Sequence, residues 1–336
     1  MKKKMLATVL VVVMLVSCLF AFTACNNDTK PTEITFVLDW APNTNHTGLY
    51  VAKNLGYYEA EDLKVNIVQP GNTGTSAEVS TNVGQFGIDF QEQMIWNEQQ
   101  KVNVTAVASV VQHNTSGIIS QKAKGIVKPA DMVGHKYATW GLPGEQAIVK
   151  AMIKSAGKDP ADLDMVPNTV ENIIAEFQNP NGVDCVWSYA AWDKIILEQA
   201  NIETNFIWMK DIEGLDYYTP VIIANNDFLK NNPKEAQAFI RATAKGYDYA
   251  INHPKEAADI LMKENPELAE SKDVIYASQN YLAGEYKSDA PYWGHIDQVR
   301  WDGFFNLVCG LGEQDFPAKV TAGYGFTNKY LPGYKE

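Results

Sequence analysis

The sequence predicts an α/β protein built as two lobes, and three observations predict it. Strand-like and helix-like stretches alternate in two successive sets, one beginning near Ile34 and one near Lys136. Two long apolar runs are broken by short polar segments, HNTSG from His113 and DYYTP from Asp216, where a chain would pass between lobes. From Pro233 onward the pattern turns mostly helical. A chain that crosses twice makes its first lobe discontinuous. The expected organisation is therefore 33–117 with 222–336 as lobe one and 118–221 as lobe two.

The elements follow in order. ITFVLDW reads as a strand, and HTGLYVAKNLGYYEAEDL as a helix, with Leu49, Ala52, Leu55 and Tyr58 near helical spacing and Gly56 near its end. KVNIVQPG alternates like a strand and stops at Pro70-Gly71. STNVGQFGIDFQEQM reads as a helix end, a turn and a buried strand. NVTAVASVVQHNTSGIISQ is an apolar strand region interrupted by the first polar segment. In the second set, KYATWG, DMVPN and VDCVWSY read as strands, and PGEQAIVKAMIKSAG, ENIIAEFQNPNG and AWDKIILEQAN as helices. NFIWMK and YYTPVIIANNDFL return to apolar strands. PKEAQAFIRATAKGYDYAINHP, PKEAADILMKEN and SKDVIYASQNYLAGEY are helices, with Asn252-His-Pro254 as a stop between the first two. This alternation predicts βαβ units on parallel sheets.

The N-terminus reads differently. MKKKMLATVLVVVMLVSCLFAFTAC places three lysines before an apolar run, then small residues and a cysteine. That is the pattern of a secretory signal peptide over 1–24, with Cys25 as the residue that would carry lipid and 25–32 as a polar tether. The FTAC junction resembles a bacterial lipobox, with Phe22 in place of the usual leucine. No other run is long and apolar enough to span a bilayer. Removing 1–24 takes away three of the 28 basic residues and none of the 40 acidic ones, so the net charge moves from −12 to −15. That charge argues against nucleic acid and against an anionic membrane surface as partners. Cys185 and Cys309, the cysteines left after Cys25, lack metal-ligand spacing and read as buried thiols.

The segments DWAPNTNHTGLYVAKNLGYYEAEDL, QEQM, QHNTSG, KYATWG, PNTVENI, VWSYAAWD, YYTPVIIANNDFL and RATAKGYDYAI, in this order, resemble the solute-binding proteins of ABC importers in the NMT1/THI5-like group. Within that group they are similar to the binding proteins for pyrimidine precursors of thiamine, such as formylaminopyrimidine or hydroxymethylpyrimidine. The resemblance runs from about Ile34 to Leu331. It implies a type II periplasmic-binding-protein-like fold, with a ligand cleft between two lobes and a closed form that docks on an ABC permease. It also implies an extracytoplasmic, lipid-anchored location. Riboflavin-binding relatives share much of the pattern, so riboflavin or another flat heterocycle is the alternative ligand. Eukaryotic members of the group are pyrimidine synthases with a lysine-bound pyridoxal phosphate, an active-site histidine and a cysteine-rich iron motif. This chain lacks the cysteine cluster, and GxSxG, HExxH, CxxC and P-loop motifs are absent. Its five histidines, His46, His113, His135, His253 and His295, show no metal spacing. No catalytic residue, cofactor or metal is therefore expected. A sensor without a permease is a further alternative, and a monomer the default.

In an α/β protein of two lobes, ligands gather at strand ends facing the cleft. Trp40, after the first strand, is a candidate stacking platform, or else fills a gap beneath its loop. Asp39 reads as a loop anchor and Asn43 as a helix cap, while Asn45 and His46 are open between capping and ligand contact. Gln91 and Glu92 follow the strand GIDF, where an acid could accept from an exocyclic amine or simply start a helix. Asn114, Thr115 and Ser116 lie in the first crossing, where turn chemistry and ligand contact compete. Trp140 and Glu145 bracket a strand-to-helix turn; Glu145 serves either the helix dipole or a ligand. Trp187 reads as core or ring wall, Tyr189 as the ring face opposite Trp40, and Tyr218 as a weaker candidate in the second crossing. The chain has two arginines, Arg241 and Arg300, neither at a candidate strand end. That favours a neutral or weakly basic aromatic ligand over a carboxylate or sulfonate.

Overall fold

A computed structural model describes residues 30–312 and 317–335. The signal peptide expected over 1–24 and the lipidation expected at Cys25 lie outside the described residues, as does most of the tether.

The first set comprises β1 (Thr32–Val37), α1 (Thr47–Asn54), β2 (Leu63–Val68), α2 (Thr75–Ser80), β3 (Phe86–Asp89), α3 (Gln93–Gln99) and β4 (Val104–Ser109). The second comprises β5 (Ser116–Gln121), β6 (Lys136–Thr139), α4 (Pro143–Ser155), β7 (Asp164–Pro167), α5 (Ile173–Gln178), β8 (Cys185–Tyr189), α6 (Ile195–Gln199) and β9 (Thr204–Trp208). The chain then returns through β10 (Val221–Asn225) and five helices: α7 (Asn226–Asn231), α8 (Pro233–Asn252), α9 (Pro254–Glu264), α10 (Lys272–Glu285) and α11 (Gln298–Gly310). The strands form two five-stranded sheets, ordered β2-β1-β3-β10-β4 and β7-β6-β8-β5-β9.

The sheets are mixed, not parallel throughout as the alternation suggested. β1 pairs parallel with β3, and β6 pairs parallel with both β7 and β8. β10 runs antiparallel between β3 and β4, and β5 antiparallel between β8 and β9. The exceptions have one cause. Each is the strand by which the chain arrives from the other sheet, so it enters against the local strand direction. α1 is also shorter than the sequence pattern suggested: Gly56, at φ +72°, takes the left-handed conformation that ends it.

The first core is built on stacked rings. Phe239 of α8 lies 4.2 Å from Phe86 and 5.4 Å from Tyr58, centroid to centroid. α8 also packs against α1, and two glycines set how close it comes. A Cβ on Gly246 would meet the Gly48 carbonyl oxygen at 2.0 Å, and one on Gly48 would meet the Tyr247 ring at 2.3 Å. Backbone cannot yield as a flexible side chain can. Gly246→Ala is therefore expected to destabilise by about 1–3 kcal/mol despite alanine's better helix propensity, read by urea unfolding. Unchanged or raised stability would refute the contact. Cys185 is buried as expected, but Cys309 is only partly so.

Candidate functional site

The loop after β1 folds by its own hydrogen bonds. The Asn43 side chain accepts from the Asn45 backbone N–H at 2.9 Å, while Nδ1 of His46 accepts from the Asn43 N–H at 3.1 Å. These two contacts form a reciprocal cap. Since Nδ1 accepts, Nε2 carries the proton and donates to Asp39 Oδ1 at 2.6 Å. His46 is fully buried and both ring nitrogens are engaged, so it anchors the loop. The Tyr247 hydroxyl fixes the Asn45 carbonyl at 2.7 Å, and that of Tyr286 the Thr44 carbonyl at 2.6 Å. Trp40 is thereby held out from the fold, 66% exposed.

This loop lines a cavity of about 280 Å³. Asp39, Trp40, Asn43 and Asn45 line it from the loop after β1, and Tyr189, Ala191 and Trp192 from the end of β8. Thr115 from the first crossing and Thr219 and Pro220 from the second close it at the back. The five residues after β8, Ala190–Lys194, form one wide π turn. Asp193 in that turn accepts from the Ser188 hydroxyl at 3.0 Å and from the Tyr189 N–H at 3.3 Å, so the turn is locked onto the strand end it follows. Such turns gather at functional sites.

Phe90 and Tyr189 also line an adjoining compartment of about 550 Å³. Its walls are Trp96, Trp140, Trp187 and Leu142, with Glu92 and Glu145 among its polar groups. Trp140 and Trp187 lie 5.5 Å apart, tilted by 41°. Glu145 is held by the Tyr137 and Thr139 hydroxyls, the latter at 2.7 Å. Burial still raises its carboxyl above the usual range. Glu92 is different. Its Oε2 and the Trp187 Nε1 are buried with no hydrogen-bond partner among the described residues. Burial, and to a lesser degree the charge of Asp89, push the Glu92 carboxyl up to about 8. Among the described residues, no lysine, arginine or histidine lines either compartment.

The structure thus brings Trp40, Asn45, Thr115 and Tyr189 to one compartment, and Glu92, Trp140, Glu145 and Trp187 to the next, with Tyr189 shared. Five other expected contacts are committed elsewhere. His46 is one. Gln91 is fully buried, donating to the Trp301 carbonyl at 2.8 Å and accepting from the Tyr218 N–H at 2.8 Å. Asn114 accepts from the Ser116 N–H at 2.9 Å and hydroxyl at 2.6 Å, and donates to the Leu215 carbonyl at 3.0 Å, so Asn114 and Ser116 serve the turn between the sheets. Tyr218 lies beneath the Arg300 guanidinium, 4.3 Å from ring centre to Cζ, and its hydroxyl accepts from Arg300 at 2.5 Å.

Arg300 lies on α11, away from the strand ends. It sits at the crossings, donating to the Gln112 carbonyl at 2.8 Å and pairing with Asp216 at 3.2 Å. It clasps both crossing segments and is not among the residues that line the two cavities. Sequence reasoning passed over Phe90, Trp96, Ala191, Thr219 and Pro220; the apolar ones read as ordinary core. A wider groove of about 710 Å³ runs between Thr105, Asn226, Tyr330 and Tyr334, beside β4. It faces neither the strand ends after β1, β3 and β8 nor the crossings.

Several known proteins are similar to this chain. Formylaminopyrimidine-binding protein of Halalkalibacterium halodurans is 27% identical over 265 residues, 79% of each chain. The 4-amino-5-hydroxymethyl-2-methylpyrimidine phosphate synthase of Legionella pneumophila is 26% identical over 239 residues, 70% of this chain and 75% of the other. Among solved structures, the periplasmic nitrate-binding protein of Synechocystis PCC 6803 superposes with a TM-score of 0.66 at 14% identity, covering 89% of this chain and 87% of the other. The alkanesulfonate-binding protein of Xanthomonas axonopodis pv. citri bound to MOPS gives 0.65 at 12%, covering 89% and 99%. The fold is that of the two-lobed periplasmic binding proteins. The family model described as NMT1/THI5 like matches residues 43–257, and on that match the chain belongs to the NMT1/THI5-like family.

Proposed function

We propose that this chain is the extracytoplasmic solute-binding lipoprotein of an ABC importer, and that it takes an aminopyrimidine precursor of thiamine, formylaminopyrimidine or hydroxymethylpyrimidine, for delivery to a permease. One observation carries the reading. Trp40, after β1 of one sheet, and Tyr189, at the end of β8 of the other, line one compartment whose volume, about 280 Å³, lies just below the usual range for ligand sites. An aromatic ring from each lobe supplies stacking faces for one flat ring. The Asn45 side chain, free of any described protein partner, supplies a donor and an acceptor at its edge. The absence of basic residues from the lining suits a ligand without negative charge. The formylaminopyrimidine-binding relative adds weight to this choice. In this reading Cys25 anchors the protein to the membrane, and the protein acts as a monomer.

Relatives named as synthases raise an enzymatic reading. The donor set does not fit it. Pyridoxal phosphate held through a lysine needs a lysine at the cleft, and among the described residues none lines either compartment. Cys185 lies in β8 and Cys309 in α11, so they offer no cysteine cluster.

The test is thermal unfolding of residues 26–336 with formylaminopyrimidine, hydroxymethylpyrimidine, thiamine, riboflavin and taurine. A ligand at about 100 times its dissociation constant stabilises by ~2.7 kcal/mol, a readily measured shift. The pyrimidines alone are expected to raise the midpoint. A shift with riboflavin alone would move the substrate to a larger heterocycle, and a shift with taurine alone would overturn the aromatic site.

A further inference from the structure

The Glu92 carboxyl is the feature that the proposed function leaves unexplained. Oε2 is shut off from solvent and has no hydrogen-bond partner among the described residues. It lies in a compartment walled by Phe90, Trp96, Trp140, Trp187 and Tyr189. The titratable groups that face it are Asp89 at the end of β3, Tyr189 at the end of β8 and Tyr217 in the second crossing, with Glu145 of α4 lining the same compartment. Each of these is neutral or negative. A carboxylate in such surroundings is costly unless the ligand compensates it.

We propose that Glu92 is the specificity-determining group of the site, and that it shares one proton with an amidine-type edge of the ligand, a basic ring nitrogen beside an exocyclic amino group. This rests on the reading of the ligand as an aminopyrimidine. The carboxylic O–H donates to the ring nitrogen while the other carboxyl oxygen accepts from the amino N–H. Whether the proton sits on oxygen or nitrogen, the pair carries no net charge, so no uncompensated charge is buried. A carboxylate-bearing ligand would bring a buried negative charge that no cation of the site compensates, and a ring lacking the amino group leaves half the contact unmade. The proton count sets the pH dependence. The complex holds one proton on the pair. Near neutral pH the free protein already holds it, since the empty site keeps the carboxyl protonated up to about 8. Above that, free Glu92 is a carboxylate and the ligand neutral, so binding must take up one proton and weakens as pH rises. Below the ring nitrogen's own pKa the two free partners hold two protons, so binding must release one and weakens as pH falls.

The experiment is calorimetric titration of the wild-type protein and of Glu92→Gln with formylaminopyrimidine across the pH range, in buffers of different ionisation enthalpy. The wild-type dissociation constant is expected to rise about tenfold per pH unit above ~8, with one proton taken up per ligand. The glutamine amide offers the same donor–acceptor edge without a titrating proton. Whatever its affinity, its alkaline slope is expected to be absent. A flat wild-type profile, or the same slope in both proteins, would overturn the shared proton while leaving the pyrimidine site standing. Failure of the pyrimidine to bind at any pH, with riboflavin binding instead, would overturn the ligand reading and this inference with it.

Discussion

Glu92→Gln is expected to stabilise the ligand-free protein at alkaline pH by roughly 2–4 kcal/mol. The folded carboxyl titrates near 8 against 4.5 for an unperturbed glutamate. A carboxyl whose pKa is raised on folding holds its proton in the folded state and loses it in the unfolded one across that window. Folding is therefore opposed increasingly as pH rises from about 4.5, and the penalty levels off once the folded group also ionises, near 8. Glutamine has nothing to titrate, so the gain should be small below about pH 4 and full near pH 9. The full shift converts to somewhat more than the range given; relaxation and entering water reduce it. Urea unfolding at three pH values is the measurement. Equal stability of the two proteins at alkaline pH would show that the carboxyl finds a partner or water in the empty cleft. A stabilising loss of this group is the expected mark of a side chain kept for binding.

Trp40→Ala is expected to weaken pyrimidine binding by about 5- to 150-fold, corresponding to ~1–3 kcal/mol for an aromatic face stacked on a heterocycle. The unfolding midpoint without ligand should hardly move. The ring is 66% exposed, and its loop is fixed by Asn43, His46 and Asp39, not by the indole. Titration with formylaminopyrimidine, beside Tyr189→Ala and the double variant, separates a two-sided clamp from a single platform. If the rings clamp one ligand, the two losses should combine non-additively, because the first removal frees the ring to shift. Unchanged affinity in Trp40→Ala would remove stacking from the account.

Much of the architecture was legible because apolar periodicity, Gly56 and the two polar interruptions mark element ends directly. The strand directions were not. β5 and β10 carry the same apolar runs as their parallel neighbours, and only the route of the chain between sheets turns them round. At the site, Trp40, Asn45, Glu92 and Tyr189 could be singled out because polar and aromatic residues at strand ends are conspicuous. The same rule swept in His46, Gln91, Asn114, Ser116 and Tyr218. Their residue types suit a ligand equally well, but each is used up by a partner within the protein: His46 by a backbone N–H three positions away, Gln91 by backbone groups more than a hundred away, Ser116 by the Asn114 side chain. The partners of Arg300 were not legible for a related reason. Its guanidinium meets Gln112 and Asp216, far distant in sequence, and no local pattern announces that.

The position of β10 has a bearing on the order in which the molecule can be assembled. The strand sits between β3 and β4, so neither edge of that gap is covered until the chain has been made as far as Asn225. While the chain emerges from its N-terminal end, β1 to β3 can pair but β4 has no neighbour to join. The second sheet meets no such delay: β5 to β9 are contiguous in sequence and can close on their own. The later half is therefore the self-sufficient folding unit, and the earlier half stays an incomplete template awaiting its middle strand. Such non-local pairing slows folding. A fragment ending before Val221 should lack a stable first sheet, whereas 116–210 contains every strand of the second.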